Sequence, residues 1–559
     1  MARQKIHNEE QAKEAWSNVP EALAKLGYSE LRQAQKDCLE SIFAGEDTFC
    51  ILPTGGGKTL IAALPAVVFK WRAVIFSPLV ALMRDQVQSF LRHGIRAGSI
   101  NSSNADVENT TALQAWIQGE QQILLVAPEQ IKEGPFMNAM RMIKPDLVVL
   151  DEAHTMSEWA SGFRPAYNRC GEFVKEMDPK LVIAMTATAT RKIVEDVTDI
   201  LGIPEATIQR HYYPRTNLEL VSRKVDDVEL AHVSILKDLQ ACSGSAIVYC
   251  SSVKHVTELT EYLINHGINC TFYHGQMTNV TQKQINQDNF MNNHTRVIVA
   301  TNAFGMGIDK PDIELIIHAD LPGSVEAIAQ ETGRAARDGR KAKCIMYDTE
   351  YGRKVQEFLW NLSNPSDATV SFVYNYLKST ADTNGVSYVT LEELKVSSGD
   401  DSAANAIGAL VSMGIIERMD APQVAHIKFN EWFTATSPVI PKTTPQRTRI
   451  LNAVVQGGVV EDDGWMSCSL DYLIKAVGSA KSSITAALRQ LDKDGLIQYE
   501  GPKRSKATKI LRELTDKDLE SVKYRRSVEL RKTTGVQIYS ETPDDKKHEF
   551  LMRYFLGND

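Results

Sequence analysis

Up to about residue 350 the chain alternates short, almost unbroken apolar runs with helical stretches. Residues 48–52, 73–77, 123–127, 147–150 and 182–186 form one set of runs. Residues 246–249, 269–273, 297–300, 315–318 and 344–347 form a second. Each run ends in turn or cap chemistry, the pattern of strands buried in a parallel sheet with helices over both faces. Two sets predict two α/β domains, joined near residues 213–217. Neither set shows the short fixed period of a solenoid.

Beyond about residue 360 helical segments dominate and the apolar strands are brief. Two stretches look alike: residues 391–419, followed by AHIKF, and residues 470–501, followed by ATKIL. Each predicts a helix, a turn, a second helix and a Gly-containing step into a hairpin. This resembles a winged-helix domain; for the first copy a small helical domain without a ligand fits nearly as well. From about residue 514 the chain is charged and helical.

Composition narrows the class. The 559 residues suggest roughly three to four domains. A chain that is 43% hydrophobic and 24% charged is neither collagen-like, mucin-like nor globally disordered. The net charge of −8 argues against a coat of basic patches but says little about any one groove. The longest strongly apolar run, residues 61–69, is far shorter than the ~20 residues needed to span a bilayer. The N-terminal MARQKIHNEEQAKEAW lacks the apolar core of a signal peptide. A cytoplasmic chain without a membrane partner is expected. Eight cysteines with no C-x-x-C pair predict neither a disulfide framework nor a structural zinc site.

The segment from Pro53 through Thr54, Gly55, Gly56, Gly57 and Lys58 to Thr59 lies between a predicted strand and a predicted helix. A glycine-rich turn there lets backbone N–H groups wrap a phosphate, and the helix N-terminus adds positive potential. Lys58 can reach β/γ-phosphates and the Thr59 hydroxyl can bind Mg²⁺. Leu52 stands where the general phosphate-loop pattern has its first glycine, so the segment fits the P-T-G-x-G-K-T variant of helicases. Asp151, Glu152, Ala153 and His154 follow another strand. Asp151 at the strand end can hold Mg²⁺, and Glu152 can polarise an attacking water.

From these motifs the chain resembles RecQ-type superfamily 2 DNA helicases over roughly residues 20–350. Gly27, Tyr28, Leu31, Arg32, Gln33 and Gln35 match the family's adenine-reading motif; Tyr28 and Arg32 can sandwich the base and Gln35 can bond its edge. Residues 77–86, with Ser77, Arg84 and Gln86, are similar to its first DNA-backbone motif. Residues 157–167 resemble its aromatic-rich loop, in which Trp159, Phe163 and Arg164 meet single-stranded DNA, each stacked base contributing ~1–3 kcal/mol. Ser161 replaces the family's usual histidine there. Thr186, Ala187 and Thr188 match the motif linking ATP to DNA, with His154 and Gln330 in the same coupling role. Arg215 and Asn217 echo the interdomain R-P-N linker. The segment 300–311, with Gly307 and Asp309, is close to the family sequence and implies nucleotide contact. In the last motif, residues 330–340, two arginines three apart on one helix face can both point at the nucleotide. Arg337 is the expected arginine finger and Arg334 its neighbour, a role typically worth ~10³–10⁵ in rate.

The resemblance implies an α/β chain with two RecA-like parallel-sheet motor domains, followed by mainly helical winged-helix-like domains. The expected boundaries are 1–213 and 214–355 for the motor domains, 356–440 and 441–512 for the winged-helix-like domains, and 513–559 for a helical tail. That tail resembles part of the family's zinc module without its cysteines. No zinc is expected; the implied cofactors are ATP and Mg²⁺. From residue 441 onward 21 Lys and Arg face 17 Asp and Glu, and Lys503, Arg504 and Lys506 fall where the second wing belongs. Phosphate contact by those residues is expected to position DNA rather than read it. The implied activity is ATP-driven translocation, 3′ to 5′, on single-stranded DNA that unwinds forked duplexes; recombinational repair is the family's usual setting, and plasmid, phage or defence roles fit the unusual C-terminal half equally. A DNA remodeller that does not separate strands and an RNA helicase are the alternatives.

Overall fold

The computed structural model describes residues 9–53, 55–78, 80–157, 165–187, 189–212, 214–305, 310–420, 423–430, 433–434, 437–438, 443–460, 464–501 and 506–556. The chain divides into two compact units. Met1–Trp360 with Ser527–Asp559 form one, and Asn361–Arg526 the other.

The first unit contains two parallel sheets. Strands β1 (Thr48–Ile51), β2 (Ala73–Phe76), β3 (Ala97–Ile100), β4 (Ile123–Val126), β5 (Leu147–Leu150), β6 (Leu181–Thr186) and β7 (Thr207–Arg210) pair in the order β3-β4-β2-β5-β6-β1-β7. Alternate residues of each strand enter opposite cores. Cys50, Ile75, Leu125, Val149 and Ile183 pack beneath α1 (Glu9–Lys25), α2 (Gln33–Phe43), α3 (Lys58–Val68) and α4 (Val80–Arg92). Phe49, Val74, Leu124, Val148 and Val182 pack beneath α5 (Asp106–Ile117), α6 (Pro135–Met142), α7 (Arg169–Met177) and α8 (Arg191–Leu201). Burial on both faces is why these strands read as unbroken apolar runs.

The second sheet has β8 (Leu218–Lys224), β9 (Ser245–Tyr249), β10 (Cys270–Tyr273), β11 (Val297–Ala300), β12 (Ile313–His318) and β13 (Ala342–Asp348), in the order β10-β11-β9-β12-β13-β8. One face packs on α9 (Val228–Ala241) and α10 (Val253–Asn265). The other packs on α11 (Val280–Met291) and α12 (Val325–Thr332), and on Val536, Tyr539, Leu551 and Phe555 from far along the chain. All ten foreseen strands are present. The three that were not foreseen, β3, β7 and β8, are sheet edges. There Gly98 and Ser99, the half-buried β7 and the partly exposed β8 interrupt the apolar run.

After α13 (Glu350–Ser363) the second unit begins with α14 (Asp367–Ser379), β14 (Val386–Ser387), α15 (Leu391–Ser398), α16 (Ala403–Ser412) and β15 (Ile416–Asp420). It continues with β16 (Val424–Phe429), β17 (Phe433–Thr434), β18 (Ser437–Pro438), α17 (Pro445–Gly457), β19 (Val459–Val460) and β20 (Trp465–Ser469). Then follow α18 (Leu470–Val477), α19 (Lys481–Lys493), β21 (Ile497–Glu500) and β22 (Lys506–Ile510). The expected hairpins do not form. β16 pairs with β20 and β21, not with β15. β22 crosses back to pair with β14 and β15. Residues from β16 to β21 share one core, and those before β16 and after β22 share another. One small lobe is thus inserted into the other, and the pair is inserted into the motor unit. The local helix–turn–helix pattern carries no information on which edge each strand joins, so the sequence pattern missed the exchange.

The chain returns through α20 (Asp516–Glu541) to α21 (Lys547–Leu556). Lys547 is fully buried, and its Nζ donates to the carbonyls of Tyr539 and Thr542 at 2.7 and 2.9 Å. It thereby satisfies the open carbonyls at the end of α20. Burial lowers its pKa to about 8. Among the described residues no helix is long and apolar enough to cross a membrane. All eight cysteines are free thiols.

Candidate nucleotide and coupling site

The first sheet presents its polar residues just beyond strand ends. β1 leads into the glycine turn, where Gly55 and Gly57 have φ of +79° and +82°, and Gly57 caps α3. Such backbone strongly favours glycine. A Cβ on Gly57 would also lie 2.1 Å from Gln35 Nε2. Arg32 Nη1 donates to the Gly55 carbonyl at 2.6 Å, and Gln35 Nε2 to that of Gly57 at 3.4 Å. Two of the three residues expected at the adenine therefore brace the phosphate turn. Tyr28 stands 48% exposed beside them in sequence.

β5 delivers Asp151 and Glu152. Glu152 has φ +49°, and its N–H donates to Asp151 Oδ1 at 3.0 Å. Tyr167, wholly buried, donates to the Asp151 carbonyl at 3.0 Å. Lys58 Nζ lies 3.9 Å from Glu152 Oε1. Burial, then the Glu152 carboxylate, push the Asp151 carboxyl upward. Burial also opposes the Glu152 charge, but Lys58, His154 and Arg334 together hold this carboxyl below its usual range. A Mg²⁺ ion bound beside Asp151 would fit this chemistry. Asp151 is destabilised as a carboxylate until a cation joins it, and Glu152 Oε2 is buried with no hydrogen-bond partner.

His154 Nδ1 is 2.6 Å from Thr186 Oγ1 and 3.4 Å from Glu152 Oε2. Two of the expected coupling residues are thus brought together, His154 in the short turn after β5 and Thr186 at the end of the adjacent parallel β6. Burial holds His154 toward the neutral form.

On the second sheet the arginines differ from expectation. They do not share a helix face, because α12 ends at Thr332. Arg334 and Arg337 lie in a following turn, where Ala336 has φ +41°. Its N–H donates to the Ile313 carbonyl at 2.8 Å, which pulls the chain out of helical geometry. Arg215 donates to the carbonyls of Gly333 and Ala336 at 3.0 and 2.6 Å, and Asn217 to that of Arg340 at 2.8 Å. These linker residues build the arginine turn, a role their motif alone did not reveal. Arg334 is 5% exposed and donates to the Gly305 carbonyl. Arg337 is half-buried, and Gln330 lies on α12 with partial exposure. Thr59 and Arg84 are exposed, Gln86 is half-buried, and Ser77 is buried at 1% exposure. Lys506 is exposed at the start of β22. Thr54, Trp159, Phe163, Arg164, Thr188, Gly307, Asp309, Lys503 and Arg504 lie outside the described residues.

Among the described residues one group has metal-ligand chemistry: buried Cys250, His255 and Asp320. Hydrogen bonds account for much of it. His255 Nδ1 meets Asp320 Oδ2 at 2.7 Å, and its Nε2 meets His232 Nε2 at 3.0 Å.

Two family models match the chain: DEAD/DEAH box helicase over residues 32–197, and helicase conserved C-terminal domain over residues 231–339. The chain is 34% identical over 356 residues to a probable ATP-dependent DNA helicase RecS of Bacillus subtilis (strain 168), covering 63% of this chain and 71% of that one. It is 32% identical over 335 residues to the ATP-dependent DNA helicase RecQ of the same bacterium, covering 60% and 56%. It is 36% identical over 336 residues to ATP-dependent DNA helicase Q-like 5 of Arabidopsis thaliana, covering 58% and 36%. It therefore spans less than two thirds of the length of the last two. Since each half of the cleft falls within a helicase family model and most of RecS is covered, the chain belongs to the RecQ-type family of superfamily 2 DNA helicases.

Proposed function

We propose that the chain is an ATP-driven helicase that moves 3′ to 5′ on single-stranded DNA and separates the duplex ahead. The observation that carries this reading is one shared cleft. The Glu152 carboxylate, 3.9 Å from Lys58 of the first sheet, is also held by the charge of Arg334 from the second.

In this reading Tyr28, Arg32 and Gln35 take the adenine, and Thr54 with the glycine turn and Lys58 takes the phosphates. Thr59 and Asp151 would hold Mg²⁺, which when bound neutralises phosphate charge and polarises the terminal phosphoryl group. Glu152, kept ionised by Lys58, orients and deprotonates the attacking water. Arg337 meets the charge that develops on the transferred group, and Arg334 anchors the turn that carries it. Gly307 and Asp309 complete the nucleotide contacts. His154, Thr186, Thr188 and Gln330 relay the state of the cleft to DNA held by Trp159, Phe163, Arg164 and the segment of Ser77, Arg84 and Gln86. Lys503, Arg504 and Lys506 anchor duplex phosphates. Each step works against base-pair stacking of about 1.4 kcal/mol. Free thiols suit a cytoplasmic setting.

Displacement of a labelled strand from forked duplexes with 3′ or 5′ overhangs tests the reading. Displacement in ATP on the 3′-tailed fork, with single-stranded DNA stimulating ATP hydrolysis more than RNA, is expected. Absence of displacement on both forks overturns strand separation, and preferential stimulation by RNA overturns the DNA assignment.

A further inference from the structure

The last two helices look, in sequence, like a charged tail, yet they pack on α12, the helix that carries the coupling residue Gln330. α20 crosses α12 at Gly535, where a Cβ would stand 3.1 Å from Val325 Cγ2. The Tyr554 hydroxyl of α21 donates to Glu326 Oε1 of α12 at 2.9 Å, and Glu326 Oε2 is buried with no hydrogen-bond partner. Lys532 of α20 is 7% exposed and pairs with Glu529 one turn earlier. Glu326 and Lys532 both act electrostatically on His154, in opposite senses. A lysine so deeply buried must sit among groups that compensate it.

The same helices grip both sheets and the linker between them. Phe555 stacks on Tyr212 at 4.8 Å, and its carbonyl accepts from Arg210 Nη1 of β7 at 3.3 Å. His548 Nε2 meets the Leu218 carbonyl of β8 at 2.9 Å. His548 and Leu551 line a cavity together with Pro53 and Ala187 of the first sheet, Arg215 of the linker and Gln330 of α12. The tail thus spans the elements that must shift when the sheets close on a nucleotide.

We propose that α20 and α21 form a clasp on the ATPase cycle, with Lys532 and Tyr554 as positioning residues. They hold Glu326 of α12 and back the cavity that Gln330 of α12 shares with Pro53 and Ala187 of the first sheet. Without Lys532, Glu529 of α20 loses its ion-pair partner and the buried positive charge of that helix is gone. Without the Tyr554 hydroxyl the Glu326 carboxylate loses its bond to the tail. Either change leaves the nucleotide-holding residues untouched and disturbs the closed arrangement.

The inference rests on the reading of the chain as a DNA-stimulated ATPase, and the test separates the two. In the full-length chain, Lys532→Met and Tyr554→Phe are expected to lower DNA-stimulated kcat about five- to tenfold while KM for ATP moves less than about twofold. Lys532→Arg, which keeps the charge, should recover most of the loss; mere packing would not distinguish Arg from Met in this way. Unchanged kcat in Lys532→Met and Tyr554→Phe overturns the clasp, as does a rise in KM that accounts for the whole effect. If Lys532→Met does not fold, Tyr554→Phe, which removes one hydroxyl, decides by the same readout. If the unmodified chain shows no DNA-stimulated hydrolysis, the helicase reading fails and the clasp with it. If it hydrolyses ATP and the variants match it, the clasp alone fails.

Discussion

On the first sheet, Lys58, Asp151, Glu152 and Thr186 follow closely on, or end, the strands β1, β5 and β6, which pair in fixed parallel register. On the second sheet, Arg334 and Arg337 sit in a turn past α12 that Arg215 and Asn217 of the linker hold by their side chains. The first half of the cleft is thus set by sheet geometry. The second is set by polar ties to the linker between the two sheets. A few hydrogen bonds, each worth about 0.5–1.5 kcal/mol net, can be remade at each cycle, whereas a buried sheet register cannot. The arginine half is built to be adjusted.

Substitutions can break or sharpen that contrast. The largest effect belongs to the rigid half: Lys58→Ala should lower DNA-stimulated phosphate release by about 100-fold or more. Survival of the rate would mean that the glycine turn is not the phosphate site. Next, Arg215→Ala should loosen the arginine turn and lower kcat about tenfold, with KM for ATP within about threefold. Equal losses in both constants would show that the linker helps bind nucleotide and would erase the contrast. Thr186→Val keeps the shape of β6 but removes the partner of His154. Stimulation by single-stranded DNA should drop about fivefold, as expected for one hydrogen bond. Ala336→Gly should stabilise the chain by about 0.5–1 kcal/mol in urea unfolding, by relieving left-handed strain; destabilisation would mean the turn depends on the Ala336 methyl.

The smallest effect concerns the tail that completes the second core. Lys547 titrates near 8 in the fold, below its ordinary 10.5. Between those values the unfolded chain binds more protons, so this group makes stability rise as pH increases from about 8 to 10. Thermal midpoints of the native chain and Lys547→Met across that range should differ in slope, with the native chain the steeper.

Much of the motor was legible because its signals are contiguous. Strands buried on both faces leave unbroken apolar runs, and the glycine turn and Asp151–Glu152 each occupy one short segment. What escaped is long-range. β22 joins β15 across the whole inserted lobe. Arg215 reaches the arginine turn over more than a hundred residues. Lys532 read as one charge among many in a solvated helix, because nothing in a local pattern marks a charge that tertiary packing will bury. The helix expected under both arginines ends at Thr332 with Gly333 as its cap residue, a stop signal that lies inside the motif and was read there as part of it.

The nested arrangement also has a bearing on biosynthesis. The first sheet is fully encoded by residue 210, so the phosphate-binding half can close its core early on the ribosome. The core under the second sheet needs Val536, Tyr539, Leu551 and Phe555, about 200 residues after its last strand. At roughly 5–20 residues per second, the arginine-bearing half waits about 10–40 s with an apolar face uncovered. In that interval the uncovered apolar face is open to aggregation. A nascent chain interrupted anywhere in the insert would carry a finished phosphate site and no completed partner for it.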